Sequence, residues 1–127
     1  MSEPRDLKAL YRRYVAAFNA HDFDELETYL SPELVFDWGD VMPAMRGRAA
    51  MFAFYREAWT YFDEEISASD IEIDGSRLSA TITTEIRVFR DWPECPIGPM
   101  RSGPSYTVSG RVEYLFEFGR IAYIDAP

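Results

Sequence analysis

Residues 12–39 read RRYVAAFNAHDFDELETYLSPELVFDWG, and within them the periodicity changes from helix to strand. Up to Phe18, apolar residues recur every three or four positions, which is the spacing of an amphipathic helix. Asp22 followed three residues later by Glu25 is the capping-box spacing that begins a second helix. Ser31-Pro32 ends that helix, and ELVFDW then has the composition of a short strand. This stretch therefore predicts two helices followed by a strand.

The rest of the chain continues with a third helix and then with strands. A second apolar stripe at helical spacing comprises Met51, Phe54, Tyr55, Ala58, Trp59 and Phe62. From residue 66 the pattern changes to period two, in the segments 66–73, 77–89, 105–118 and 120–126. Asp74-Gly75 indicates a tight hairpin turn between the first two segments. This order predicts an α+β fold, a cone-shaped α+β barrel with three N-terminal helices packed into a strongly curved antiparallel sheet.

Length and composition indicate one soluble domain that spans residues 1–127. A chain of 127 residues with 47% hydrophobic residues has apolar mass for one core and is too short for two. The net charge of −9 without a basic cluster disfavours nucleic acids and anionic membranes as partners. No apolar run approaches the roughly 20 residues of a membrane span, and the N-terminus has no signal-peptide pattern. We expect a cytoplasmic protein.

The chain offers few residues for metal or nucleophilic chemistry. Cys95 is the single cysteine and His21 the single histidine, so neither a disulfide nor a zinc set of Cys and His residues is available. No glycine-rich phosphate loop is present. The sequence therefore predicts a protein that needs neither a metal nor an organic cofactor.

Three segments of the chain resemble one superfamily. RRYVAAFNAHDFDELETYLSPELVFD, MRGRAAMFAFY and FEFGRIAYID look like the nuclear-transport-factor-2-like superfamily, in particular its ketosteroid isomerase and SnoaL-like polyketide cyclase branch. The resemblance covers nearly the whole chain. It implies the cone-shaped fold, a homodimer, and a pocket for small hydrophobic molecules. The superfamily contains isomerases, dehydratases, epoxide hydrolases, cyclases and binding domains, so the resemblance alone does not select a reaction.

The resemblance also assigns roles to particular tyrosines. In a gapless comparison from Arg13 to Tyr55, Tyr14 matches the oxyanion-hole tyrosine of ketosteroid isomerases, and Tyr55 matches the tyrosine that supports it. The same register places Trp38 where the family has its general-base aspartate. In the later strand, Tyr114 falls nearest to the second oxyanion donor. The hydroxyl donors of the family are thus present in this sequence, whereas the aspartate base is out of register.

Two carboxylates near that position are candidates for the base. Asp37 lies between Phe36 and Trp38, whose apolar rings would raise its pKa if the carboxylate pointed inward. Strand alternation predicts the opposite, because Asp37 faces outward if its two neighbours face the cavity. In that case Asp40, in the following loop, is the alternative base. Both assignments remain open at the level of the sequence.

The preferred interpretation is a cofactor-independent lyase or isomerase. Acid-base chemistry would act on an aromatic or polycyclic carbonyl or hydroxyl substrate. Tyr14 and Tyr55 would donate hydrogen bonds, with Asp37 or Asp40 as the base. The substrate-binding wall would comprise Trp38, Trp59, Tyr114, Phe116 and Phe118. The alternative is a non-catalytic ligand-binding or dimerisation module, which Trp38 at the base position favours, and a third possibility is a scaffold that uses only its sheet face.

One strand surface suggests how two copies would associate. In the segment 77–89, Thr81, Thr83, Glu85 and Arg87 alternate with apolar residues. This row is too polar for a core and regular enough to pair with a second copy. The sequence therefore predicts a homodimer through the outer face of the sheet.

Overall fold

A computed structural model describes residues 6–126 as three helices and one six-stranded sheet. The helices are α1 (Leu7–Asn19), α2 (Phe23–Tyr29) and α3 (Arg48–Ala58). The strands are β1 (Leu30–Asp37), β2 (Met45–Arg46), β3 (Phe62–Asp74), β4 (Arg77–Val88), β5 (Ser105–Glu117) and β6 (Arg120–Asp125). The predicted α+β class and the three N-terminal helices are confirmed. No helix among residues 6–126 is both long and apolar enough to cross a membrane.

The predicted curved sheet is confirmed, with one parallel pair among its otherwise antiparallel strands. Its strand order is β2-β1-β6-β5-β4-β3, and β1 pairs with β6 in parallel while every other neighbouring pair is antiparallel. A period-two pattern reports which residues face the core but carries no information about strand direction. The last strand lies between β1 and β5, so the chain ends beside its own first strand. The sheet is open and curves into a cone around the helices.

The helices begin where the sequence indicates. The side chain of Asp22 accepts a hydrogen bond from the Glu25 backbone N–H at 3.1 Å and so caps α2. The reciprocal half of the capping box is absent, because the Glu25 carboxylate instead accepts a hydrogen bond from the Tyr29 hydroxyl at 2.7 Å. The N-terminal cap alone satisfies one otherwise unpaired donor of the first turn.

The core lies between the helices and the inner face of the sheet. Tyr11, Tyr14 and Phe18 form the buried side of α1. The predicted alternation of β4 is confirmed, since Ala80 and Ile82 are buried. Because β3, β4 and β5 are long and paired along most of their length, they form a continuous curved wall for the helices to pack against.

Asn19 fixes the end of α1 against the edge of the sheet. Its side-chain amide donates to the Ile66 carbonyl at 2.9 Å and accepts from the Ile66 N–H at 2.8 Å. As β3 is an edge strand, these two backbone groups face away from β4 and have no strand partner. The amide replaces the missing strand at this point and holds the C-terminal part of α1, including Tyr14 and Phe18, over the sheet.

Replacing Asn19 with alanine is therefore expected to lower the free energy of unfolding by about 1–3 kcal/mol, because both backbone groups of Ile66 lose their partners. Urea denaturation followed by circular dichroism measures this change. Ser67→Ala is the control, since Ser67 is exposed on the same strand. Equal stability of the two variants would contradict the role assigned to Asn19.

Candidate active site

A cavity of about 120 Å³ lies between α1, α3 and the inner face of the sheet. Its walls are mostly aromatic and aliphatic, with Phe18, Phe36 and Trp38 among the aromatic side chains. Its polar groups are the hydroxyls of tyrosine and threonine residues and a single carboxylate, Glu64. A space of this composition can hold a small apolar ligand and present a few oriented polar groups to it.

Glu64 points inward because of its place in β3. The buried residues Phe62 and Ile66 precede and follow it at period two, so its side chain faces the same side as theirs. One carboxylate oxygen, Oε1, accepts a hydrogen bond from the Trp59 indole Nε1 at 3.1 Å. Burial raises the pKa of Glu64 from 4.5 to about 7, while the indole hydrogen bond opposes that rise. Both protonation states of Glu64 are thus populated near neutral pH.

Two tyrosine hydroxyls on the cavity wall are free to bind a ligand. Tyr14 and Tyr55 both line the cavity and are buried. Neither hydroxyl has a hydrogen-bond partner among residues 6–126, whereas the hydroxyls of Tyr11 and Tyr114 bond to each other at 3.0 Å. Burial is the largest cause that raises the pKa of both Tyr14 and Tyr55, and the charge of Glu64 adds to it. Both phenols therefore stay protonated and can donate hydrogen bonds.

Trp38 is part of the cavity wall. Its ring stacks on Phe36 with centroids 5.1 Å apart, and both rings line the cavity, as the alternation of β1 predicts. The Trp38 indole N–H is buried and has no hydrogen-bond partner among the described residues 6–126. The position that the resemblance equates with a general base is therefore filled by an apolar surface with one unsatisfied donor.

The structure does not bring Asp37 or Asp40 to the cavity. The Asp37 carboxylate accepts hydrogen bonds from the Gly39 N–H at 2.8 Å and the Tyr123 hydroxyl at 2.9 Å, which lower its pKa. β1 stays paired with β6 as far as Asp37, so no bulge turns this side chain inward. Asp40 is exposed in the loop that follows. Neither carboxylate is placed to exchange a proton with a ligand in the cavity.

Three of the aromatic residues predicted to form the wall lie elsewhere. Phe116 is buried in the core but does not line the cavity. Phe118 is fully exposed, with a relative accessibility of 103%, because β5 ends at Glu117 and Phe118 forms the turn to β6. Trp59 does not line the cavity itself but contacts three residues that do, Glu64, Tyr55 and Phe18. Tyr114, by contrast, lines the cavity.

Glu64 was missed because the strand was predicted to start too late. The helical periodicity ends near residue 62 and the period-two pattern is predicted to begin at residue 66, so residues 63–65 belong to neither predicted element. Extending the alternation backwards from Ile66 through Phe62 would have put a glutamate on the buried face. A charged residue at a buried strand position is a recognisable signal for a functional carboxylate.

Groups suited to metal binding are scarce around this site. Within residues 6–126, no cluster of three or more His, Cys, Asp or Glu side chains could hold a metal ion. Cys95 is buried in the loop between β4 and β5, and burial raises the pKa of its thiol. The titratable side chains that do line the cavity are Glu64, Tyr14, Tyr55 and Tyr114.

Comparison with known proteins gives both a family match and structural neighbours. The family described as "SnoaL-like domain" matches residues 11–124 of the chain. A putative polyketide cyclase from Pseudomonas putida KT2440 is 26% identical, with coverage of 91% of this chain and 86% of that chain and a TM-score of 0.75. No significant match was found among the curated proteins.

More distant structures share the fold alone. An NTF2-like protein from Burkholderia pseudomallei K96243 is 17% identical, with a TM-score of 0.77 and coverage of 96% of this chain and 89% of that chain. An LEH-like epoxide hydrolase from M. tuberculosis is also 17% identical, with a TM-score of 0.72 and coverage of 92% and 77%. The cone is thus shared by proteins with differently described chemistry, so the site must be argued from its own residues.

The raised pKa of Glu64 predicts how stability depends on pH. The folded chain binds this proton more tightly than the unfolded chain, so the stabilisation is present below pH about 4.5 and is lost as pH rises through about 7. Glu64→Gln is neutral at every pH and is expected to be more stable than the original chain at about pH 8, by about 1–3 kcal/mol.

Urea unfolding between about pH 5 and pH 8 tests this expectation. Glu65→Gln removes one charge from an exposed neighbour on the same strand and is the matched control. The gain in stability should appear only for Glu64→Gln and should disappear at the acidic end. The same pH dependence in both variants would show that Glu64 is an ordinary surface carboxylate.

Proposed function

The chain belongs to the family of SnoaL-like domains, and we propose on that basis that it is a cofactor-independent lyase or isomerase in which Glu64 transfers the proton. The observation that carries the proposal is the place of Glu64, the single carboxylate in an aromatic cavity. Burial there raises the pKa of Glu64 to about 7. An acid-base group is most effective when its pKa lies near the working pH, because it can then both accept and return a proton. Glu64 takes the role that the sequence assigned to Asp37 or Asp40.

Tyr14 and Tyr55 would stabilise the charge that this proton transfer creates. When the Glu64 carboxylate removes a proton from the carbon next to a carbonyl group, the C–H electron pair moves into the carbonyl and leaves negative charge on its oxygen. A buried hydroxyl that is already oriented stabilises such an oxygen, and one donor of this kind contributes about 2.7–4 kcal/mol. Protonated Glu64 then returns the proton to a different carbon in an isomerase, or to a departing hydroxyl in a lyase.

The size of the cavity constrains the substrate. At about 120 Å³ it is smaller than the roughly 300–1,000 Å³ of common ligand pockets. An open groove of about 350 Å³ on the other side of Glu64 shares this residue with the cavity. A small cyclic carbonyl compound fits these dimensions better than the polycyclic substrate expected from the resemblance. A larger substrate would place only its reacting part in the cavity.

The assay compares Glu64→Gln with Asp37→Asn, two carboxylate-to-amide changes that differ in their position relative to the cavity. The substrate probe is a small cyclic β,γ-unsaturated ketone, whose conversion to the conjugated isomer is followed by ultraviolet absorbance. Glu64→Gln is expected to lower kcat by about 10²–10⁴-fold, because it removes the proton acceptor and keeps the shape. Asp37→Asn is expected to retain nearly full activity.

The opposite result, activity lost in Asp37→Asn and kept in Glu64→Gln, would refute the assignment of Glu64. A chain that binds the ketone and never converts it would instead support the alternative function, a non-catalytic ligand-binding module. One observation favours that alternative: Trp38 presents an apolar face at the position of the family's base. In that case Trp38→Ala should abolish binding of the ketone while Glu64→Gln should not.

We also propose that the protein forms a homodimer through the outer face of β4. Thr81, Thr83, Glu85 and Arg87 line this face, and the Thr83 hydroxyl lies 2.9 Å from the Ser109 hydroxyl of β5. These side chains form a regular, polar surface across two strands, which a two-fold axis can pair with itself.

Light scattering should return twice the chain mass of 14.7 kDa at micromolar concentration. Thr83→Lys places two additional charges at the proposed interface and should yield the monomer mass. Val41→Lys is the control, because Val41 is exposed in the loop between β1 and β2. A monomer mass for the original chain, or an unchanged dimer in Thr83→Lys, would contradict this interface.

A further inference from the structure

We propose that Trp59 is a positioning residue that fixes the Glu64 carboxylate between the cavity and the outer groove, and that His21 clamps Trp59. This inference rests on the proposed role of Glu64. It adds two residues that do not line the cavity themselves. It also reassigns Trp59, which the sequence suggested as part of the substrate-binding wall.

The three side chains form a continuous contact chain. The His21 ring stacks on the Trp59 indole almost in parallel, with centroids 3.8 Å apart and planes at 5°. The same indole donates a hydrogen bond from Trp59 Nε1 to Glu64 Oε1 at 3.1 Å. His21 Nε2 also lies 3.3 Å from the Glu64 backbone carbonyl. The imidazole thus touches both the indole and the strand that carries Glu64.

The backbone holds His21 in a fixed place. Its φ of 55° lies in the left-handed region, where a non-glycine residue is uncommon. Its N–H donates to the Phe18 carbonyl at 3.0 Å, which anchors it to the end of α1. Strained residues of this kind persist where the surrounding contacts require them. The short turn between α1 and α2 therefore delivers the imidazole onto the indole face.

The hydrogen bond decides which oxygen of Glu64 carries the proton. An indole N–H can only donate, so Oε1 must accept in both protonation states. Because the carbonyl oxygen of a carboxylic acid is a better acceptor than its hydroxyl oxygen, this hydrogen bond favours the exchangeable proton on Oε2. A carboxyl group that would otherwise rotate is held in one orientation, which is the condition for efficient proton transfer to a bound ligand.

Glu64 is also the point where two spaces meet. It lines both the inner cavity and the open groove, and Asn19 and His21 line the groove beside it. On the cavity side, the titratable groups around Glu64 are all tyrosines. On the groove side they include charged side chains. The titratable residues around Glu64 are Tyr14, Tyr55 and Tyr114 on the cavity side and His21, Asp63, Glu65, Glu85, Arg87 and Tyr106 on the groove side. Glu64 therefore also borders the open groove, beside Asn19 and His21.

The test measures the pKa of Glu64 in the ligand-free protein by carboxyl ¹³C NMR, with the resonance assigned by its absence in Glu64→Gln. Trp59→Phe keeps an aromatic ring and removes the donor, so the pKa of Glu64 should rise by about 1 unit. Trp92→Phe is the matched control, because Trp92 also lies in an aromatic stack, on Tyr61, away from Glu64. The control should leave the pKa of Glu64 unchanged.

Two substitutions at His21 separate the stacking contact from the ring nitrogens of the imidazole. His21→Phe and His21→Ala both remove those nitrogens, but only phenylalanine keeps a ring on the indole. The pKa of Glu64 should therefore be higher in His21→Ala than in His21→Phe. An unchanged pKa in Trp59→Phe, or the same pKa in both His21 variants, would overturn the proposal.

These readouts need no substrate, so the positioning role and the catalytic role can fail separately. If Glu64→Gln keeps full activity while Trp59→Phe still raises the pKa, the proposed function falls and the positioning role stands. If both roles hold, the acidic limb of the pH–rate profile shifts to higher pH in Trp59→Phe, by the same number of pH units as the pKa of Glu64.

Discussion

The position of one partly buried carboxylate on the inner face of an aromatic cone is the constraint on which the site depends. Glu64 faces inward because it occupies an alternate position between Phe62 and Ile66, two residues whose burial the core requires. Register in a strand cannot shift by one residue without exposing all of its apolar side chains. The stability of the core therefore forces a titratable group into an apolar cavity, and the cost of its charge appears as a raised pKa.

The helices place two hydroxyl groups in the same cavity as Glu64. The α1 helix brings Tyr14 over the sheet, and α3 brings Tyr55, so two hydroxyl donors share a cavity with one acid-base group. Tyr11 and Tyr114 satisfy each other and close the wall behind them. The hydroxyls of Tyr14 and Tyr55, which have no partner among residues 6–126, can donate to an oxygen of a ligand. The hydroxyls of Tyr11 and Tyr114 are already bonded to each other. Glu64, Tyr14 and Tyr55 are thus the polar groups to which the proposed function assigns the chemistry.

Periodicity identified most of the fold and the position of the tyrosines. The helices, the hairpin at Asp74-Gly75 and the alternation in β4 all depend on local patterns that tertiary contacts reinforce. The parallel pairing of β1 with β6 could not be predicted, since it depends on where the chain returns in space. The sequence did not predict the role of Glu64 because Phe62 fits both the apolar stripe of the third helix and the alternation of β3. The resemblance to the family pointed instead to the carboxylates at the end of β1. The outward direction of Asp37 did follow from alternation, as its contacts with Gly39 and Tyr123 show.

The pKa of Glu64 in the folded, ligand-free chain tests the account most directly, since the acid-base role and the position of this carboxylate both depend on it. Carboxyl ¹³C NMR across the pH range measures this value at the single residue. The account predicts a midpoint of about 7, well above the 4.5 of an ordinary glutamate. A midpoint near 4.5 would mean that water reaches Glu64 freely, and it would contradict the assignment of this cavity as an acid-base site.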